Sequence, residues 1–207
     1  MQISSIFAGI GGSVGGGILW ELAILNPQLI KNIIPVATDW KSPDWVIANC
    51  YIQDNILNNS SRPLYDARLH AMTLYRTPES FTNKFSRSLR SDNFYNIESW
   101  LNYHGEKLEH RFSLAAYKMM NQLLKTINVA DNEEDFKIKA KSVSGAIHIV
   151  TINSDLLFKN NQNWNTFNVL KSIGLDVSIY EIDSEDGHDA FLIEYEQMNR
   201  FLLPIFK

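Results

Sequence analysis

An apolar run near the start of the chain, Ile3-Ser-Ser-Ile-Phe-Ala-Gly-Ile10, is followed by a glycine cluster and then by a second run, Ile18-Leu-Trp-Glu-Leu-Ala-Ile-Leu25. The first reads as a short buried strand. The second reads as a helix stopped at Asn26-Pro27, since proline cannot continue it. Asn32-Ile-Ile-Pro-Val-Ala37 is strand-like, although Pro35 removes one ladder donor. The chain thus opens β–turn–α–β, a unit whose default is a parallel pair with a right-handed crossover. From Trp40 to about Ala130 the period turns helical and no good strand is predicted. Trp45–Leu57 and Leu64–Tyr75 are helical in period, with Pro78 just beyond. Ser113 is placed as the N-cap of Leu114–Ile127, where Leu114, Tyr117, Met120, Leu124 and Ile127 keep the spacing of a buried stripe. Asp131-Asn-Glu-Glu-Asp135 is an acidic break, and Lys137, Lys139 and Lys141 read as a solvated approach to the next strand. Strands then return. Ala146–Ile152 is a buried strand, Gln162–Ser172 a helix ended by Gly174, Val177–Ile182 a strand, and Phe191–Phe206 a closing helix with Pro204 in its last turn.

This order predicts an α/β core of about four mostly parallel strands from residues 1–40 and 131–207, interrupted by a helical insertion at 41–130. Composition agrees with a packed domain: of 207 residues, 45% are hydrophobic and 20% charged. The formal net charge of −4, from 19 basic and 23 acidic residues, supplies no basic footprint for nucleic acid. Cys50 is the only cysteine, which excludes an intramolecular disulfide and a Cys-based zinc site. No run approaches the ~18 apolar residues of a membrane span, and the start lacks the regions of a signal peptide. A cytoplasmic location is expected.

Six of the ten glycines lie in the first 17 residues. Within them Gly11-Gly-Ser-Val-Gly15 fits the G-x-S-x-G pattern of a nucleophile elbow, between a strand and a helix as that motif requires. The sharp turn leaves the serine hydroxyl above the sheet at a helix N-terminus. Small residues two positions before and after it avoid backbone clashes, and the Val14 N–H becomes an oxyanion donor. A plain tight turn is the competing reading. A dinucleotide loop is disfavoured because the spacing misses G-x-G-x-x-G, and a P-loop because no Gly-Lys-Ser/Thr follows. Among the five histidines, His188 lies in Asp183-Ser-Glu-Asp-Gly-His-Asp-Ala-Phe191, a loop between a strand and a helix, where an α/β-hydrolase keeps its base. His148 reads as a core residue with one satisfied nitrogen, and His70, His104 and His110 as surface residues. Asp155 follows the Ala146–Ile152 strand and can orient His188, or can be an Asx-turn residue. The order Ser13, Asp155, His188 is that of the α/β-hydrolases. The histidines have no metal-ligand spacing.

These segments resemble the homoserine O-acetyltransferases, acyltransferases of methionine biosynthesis on an α/β-hydrolase fold with a helical lid. The resemblance covers nearly the whole chain. It is carried by Gly11-Gly-Ser-Val-Gly-Gly16, Ala67–Phe81, Tyr103–Phe112, Asn153–Phe158 and Glu181–Leu192, above all His188-Asp-Ala-Phe191. It implies Ser13 as nucleophile, Asp155 as acid and His188 as base. It also implies Arg68 gripping the homoserine carboxylate and Asp189 its ammonium, with Arg76 and Arg87 as substitutes for Arg68. The bland alternatives are a surface ion pair for Arg68 and a helix N-cap for Asp189. Acetyl-CoA is implied as co-substrate with no other cofactor, and a homodimer through the helical lid as the assembly. Val14 stands where the family has methionine or leucine. Family members have several strands before the elbow, so the chain resembles the C-terminal portion of such an enzyme. It is therefore expected to expose an apolar strand edge, to self-associate, and to be nearly inactive with only one oxyanion donor. An esterase with the same triad, or a non-catalytic remnant serving as a dimerisation module, are the alternatives.

Overall fold

A computed structural model describes residues 3–207. Four parallel strands form the main sheet, β1 (Ile6–Gly12), β2 (Ile30–Val36), β5 (Ala146–Ile152) and β6 (Val177–Ile182), in the order β1-β2-β5-β6. Helix α1 (Val14–Leu25) connects the first pair and α8 (Asn160–Ser172) the last. Between β2 and β5 lie α2 (Asp44–Asn59), α3 (Pro63–Tyr75), α4 (Pro78–Phe85), a short antiparallel hairpin of β3 (Leu89–Ser91) and β4 (Phe94–Tyr95), α5 (Asn96–Arg111), α6 (Leu114–Thr126) and α7 (Glu133–Ala140). A 3₁₀ helix (Gly187–Leu192) and α9 (Tyr195–Leu202) follow β6. No helix among the described residues is long and apolar enough to cross a membrane.

A parallel sheet needs cover on both faces, and the alternation within each strand supplies it. Ile33, Ile147 and Ile149 face Leu19, Trp20 and Ala23 of α1, Phe136 and Ala140 of α7, and Leu170 of α8. Trp40 stacks on Phe136 with ring centroids 4.4 Å apart. On the opposite face Ile34, Val36, Val150, Ile152 and Ile182 pack with Ala190, Phe191, Met198 and Phe201. Pro35 lies inside β2, opposite Gly11 in the register. Just past β2, Asp39 accepts from the Trp40 N–H and the Thr166 hydroxyl, both at 2.8 Å, which ties this strand end to α8. Burial pushes the Asp39 carboxyl up to about 7.

Several elements differ from the sequence expectation. The hairpin lies in the stretch predicted to hold no strand; Asp92-Asn93 turns it, with Asn93 at φ 58°. Thr77 accepts from the Ser80 N–H at 3.0 Å and starts α4, with Pro78 in its first turn. The three lysines belong to α7 or its end rather than to a solvated approach: Lys137 pairs with Glu133 and Glu134, and Lys139 with Asp135. Ser113 caps α6 by accepting from the Ala116 N–H at 3.2 Å, as expected. The α6 stripe is only partly buried, however, with Met120 exposed and Asn121 buried. The single closing helix is instead a 3₁₀ turn and α9, separated at Ile193-Glu194.

Residues 3–5 lie outside β1, so the first strand starts later than Ile3. Among the described residues β1 pairs on one side only. Phe7 is 55% and Ile10 53% exposed along it, with Phe7 meeting Phe206 edge to face. An uncharged apolar edge is a template for association. The 207-residue chain is expected to sediment as an associated species, and a Phe7→Lys/Ile10→Lys variant to shift toward monomer. A parent chain that stays monomeric as concentration rises would contradict this.

Candidate active site

Ser13, Asp155 and His188 each lie beyond the carboxyl end of a strand, after β1, β5 and β6, where open α/β sheets place their ligands. Ser13 directly follows β1 and opens α1. Its backbone has φ 53° and ψ −124°, a region that side chains other than glycine's rarely enter. The Ser13 N–H donates to the Val36 carbonyl at 2.9 Å, and the Ser13 carbonyl accepts from Gly16 and Gly17. The neighbouring glycines explain how the turn fits. A Cβ on Gly11 would lie 2.3 Å from the Gly15 carbonyl oxygen. One on Gly16 would lie 2.3 Å from the Thr38 methyl and 2.7 Å from the Gly11 oxygen. A Cβ on Gly15 would meet nothing within 4 Å. The spatial requirement after the serine therefore falls on Gly16, one position later than the motif suggests. The N–H groups of Val14 and Gly15 lie in the first turn of α1, where the helix itself offers them no acceptor.

His188 Nε2 lies 2.9 Å from Ser13 Oγ, and His188 Nδ1 lies 2.8 Å from Asp155 Oδ2. Both His188 and Asp155 are 3% exposed. Asp155 also fulfils its bland reading, with the other oxygen: Oδ1 accepts from the N–H groups of Leu157 at 2.7 Å and Phe158 at 3.0 Å. Those two bonds fix the carboxylate so that Oδ2 faces the imidazole. Burial alone would lower the His188 pKa. The charge and hydrogen bond of Asp155, with the charge of Asp189, outweigh it and raise the group above its ordinary value. Such a line can move a proton between a hydroxyl and a base while a fixed anion stabilises the imidazolium.

The proposed substrate-gripping residues lie beside this line. Arg68 on α3 is half-buried, makes no ion pair among the described residues, and sits 5.5 Å from the Tyr75 ring centroid. The Tyr75 ring lies 5.7 Å from His188. Asp189 is in the 3₁₀ turn, with Oδ2 3.3 Å from Arg76 Nε. Burial raises its carboxyl, opposed by Arg76, His188 and Arg68. Arg76 is already engaged with Asp186 and Asp189, and Arg87 stands over Tyr95 at the exposed hairpin. Arg76 is thus taken up by carboxylates, and Arg87, though in no ion pair among the described residues, stands over Tyr95 in the hairpin, whereas Arg68 stands over the tyrosine beside His188. The other histidines are apart from the triad. His148 uses both nitrogens, toward Ser178 at 2.9 Å and Asn32 at 3.2 Å, rather than one. His70 lies 2.8 Å from Gln53 Nε2. His104 packs on Trp100, and burial with nearby Arg68, Lys107, Lys84 and Arg76 lowers it to about 4. His110 is exposed at the end of α5.

A cavity of about 120 Å³ opens at Ser13 and Val14, walled by Cys50, Tyr75, Tyr117 and Leu157 among others. Sequence reasoning did not single out this wall. Cys50 is no rival nucleophile, since burial, with Asp54 nearby, pushes its thiol up to about 12. Among the described residues no group of three or more His, Cys, Asp or Glu side chains could hold a metal.

No protein-family model matches the chain. Homoserine O-acetyltransferase of Chloroherpeton thalassium is 31% identical over 212 residues, covering 96% of this chain and 55% of the relative. That of Trichormus variabilis is 30% identical over 219 residues, covering 98% and 59%. The chain thus spans somewhat over half the length of these two curated relatives. Among solved structures, a homoserine O-acetyltransferase from Bacillus anthracis superposes with TM-score 0.79 at 16% identity, covering 96% of this chain and 59% of that one. An acetylester hydrolase from Corynebacterium glutamicum superposes with TM-score 0.83 at 16% identity, covering 99% and 62%. The fold is that of the α/β-hydrolases, here with four parallel strands.

The elbow geometry separates its glycines by experiment. Gly11→Ala forces a backbone overlap and is expected to lower the free energy of unfolding read from urea titration by ~1–3 kcal/mol or more. Gly15→Ala enters open space in a helix and is expected to stabilise, by roughly 0.5–1 kcal/mol. Equal responses would contradict the close approach of Gly11 and Gly15.

Proposed function

Since the chain belongs to the homoserine O-acetyltransferase family, we propose that its chemistry is transfer of an acetyl group from acetyl-CoA to the hydroxyl of L-homoserine through acetyl-Ser13. The observation that carries this reading is the unbroken line from Ser13 Oγ through His188 to Asp155 at a strained elbow. As Ser13 Oγ attacks the thioester carbonyl, His188 Nε2 takes its proton. The carbonyl oxygen gains charge beside the Val14 N–H and the α1 N-terminus. The C–S bond breaks, and His188 returns the proton to the leaving thiolate. In the second half the homoserine hydroxyl attacks the Ser13 ester, His188 takes the hydroxyl proton, and Ser13 Oγ recovers it as it leaves. Asp155 holds the imidazole throughout.

An amino-acid acceptor needs one fixed cation and one fixed anion. Arg68 has no carboxylate partner among the described residues and stands over Tyr75, whose ring lies 5.7 Å from that of His188, which favours it for the homoserine carboxylate. Asp189, next to the base, is the anion assigned to the ammonium group. This transfer is a step of amino-acid biosynthesis leading to methionine.

Long incubation with acetyl-CoA is expected to leave an acetyl adduct on the Ser13 peptide, read by mass spectrometry, and homoserine is expected to discharge it. Ser13→Ala should show no adduct. Arg68→Ala should acylate normally but lose homoserine discharge, at a cost of ~2–5 kcal/mol when a charge partner is left unpaired. An adduct that survives in Ser13→Ala would overturn the nucleophile. Discharge that ignores homoserine and releases acetate would make the chain an esterase.

A further inference from the structure

The loop that carries His188 is held from two sides. On the sheet side, the Gly187 N–H donates to Ser154 Oγ at 3.1 Å, and His188 meets Asp155. On the other side it leans on the corner between α3 and α4. Arg76 stands at that corner with its side chain 14% exposed. Its Nη1 donates to Asp186 Oδ1, and its Nε lies 3.3 Å from Asp189 Oδ2. One guanidinium therefore spans the residues on both sides of Gly187-His188. The corner adds three further contacts. Ser80 Oγ donates to Asp186 Oδ1 at 2.6 Å, and Thr77 Oγ1 to the Glu185 carbonyl at 2.5 Å. Gly187, at φ 66°, lies so close that a Cβ would come within 2.8 Å of the Tyr75 carbonyl oxygen.

We propose that Arg76 is a positioning residue that locks the His188 loop to the helical insertion by bridging Asp186 and Asp189. The inference rests on the reading of Ser13 and His188 as nucleophile and base. Asp186 and Asp189 flank Gly187-His188 in the sequence, and Arg76 is the cation that meets both carboxylates. Nη1 donates to Asp186 while Nε holds Asp189 by charge at 3.3 Å without an aligned hydrogen bond, a two-sided contact that the point charge of a lysine does not reproduce. The same grip fixes the Asp189 carboxylate beside His188. Arg76 thus acts through its neighbours and leaves any acceptor carboxylate to Arg68. The sequence Tyr75-Arg-Thr-Pro78 then has one purpose: it ends α3, presents the guanidinium, and starts α4 at a fixed angle.

The test is the rate at which a fluorophosphonate labels Ser13 in the 207-residue chain, which reads nucleophile activation without needing an acyl donor or acceptor. Arg76→Ala is expected to slow labelling by about 10²-fold, the scale of a 1 Å misplacement, while circular dichroism stays that of the parent. Added guanidinium ion should restore part of the rate in that variant. Arg76→Lys should fall between the two. Arg87→Ala, at the exposed hairpin, should label as the parent does. Labelling of Arg76→Ala at the parent rate would overturn the proposal, as would a loss that guanidinium does not relieve. If Arg76→Ala fails to fold, Asp186→Asn carries the test: slowed labelling supports the bridge and a parental rate overturns it. Failure of homoserine transfer while labelling still depends on Arg76 would count against the proposed reaction alone. A parent chain whose Ser13 does not label would overturn both.

Discussion

The backbone of Ser13 is the constraint on which the site depends. A non-glycine residue at φ 53° costs about 1–3 kcal/mol and persists only where its surroundings over-determine it. They do so here from three directions: the Ser13 N–H is tied to Val36, its carbonyl starts α1, and Gly11 and Gly16 let the strand and helix close on each other. Relaxing that turn would move Oγ away from His188 and the α1 N-terminus together. The sheet core beneath serves this end. Ile33, Ile34 and Val36 anchor β2, and β2 supplies the carbonyl that receives the Ser13 N–H.

Asp155 shows how one side chain can satisfy two readings that compete at the level of sequence. One oxygen closes the turn after β5 and the other faces His188. The turn bonds hold the orientation toward His188, because a carboxylate without them could rotate away. The helical insertion enters in the same way. Its α3–α4 corner touches the loop that carries His188, so insertion and core meet beside that histidine through Arg76, Thr77 and Ser80.

The strands β5 and β6 are legible residue for residue, because short runs rich in Ile, Val and Tyr, broken only by His148 and Thr151 in one and Ser178 and Glu181 in the other, are bounded by Gly145 before one and Asp183 after the other. The elbow is legible as a strand–glycine–helix pattern, although sequence alone assigns the spatial burden to Gly15 and the fold assigns it to Gly16. Short elements are not legible. The hairpin has strands of three and two residues, too brief for a period to register. Helix α4 has eight residues, and its signal is the Thr77-Pro78 cap rather than its pattern. Helix α7 hides behind its own acidic first turn, which reads as a break. The 3₁₀ turn at Gly187–Leu192 follows from burial of His188 and Ala190 against the core, a tertiary effect that local propensity does not carry. The engagement of Arg76 with residues more than a hundred positions away is likewise invisible to any local reading.

The ionisation of His188 tests the triad most directly. Burial acts to lower its pKa and Asp155 to raise it, so its value measures whether the anion is in place. An NMR titration, with the resonance assigned by its loss in His188→Gln, should give a midpoint above the ~6.5 of an ordinary histidine. In Asp155→Asn the midpoint should drop below that value, since burial then dominates. A parent midpoint below ~6.5 that Asp155→Asn leaves unmoved would contradict the assignment of His188 and Asp155 as a coupled base and acid.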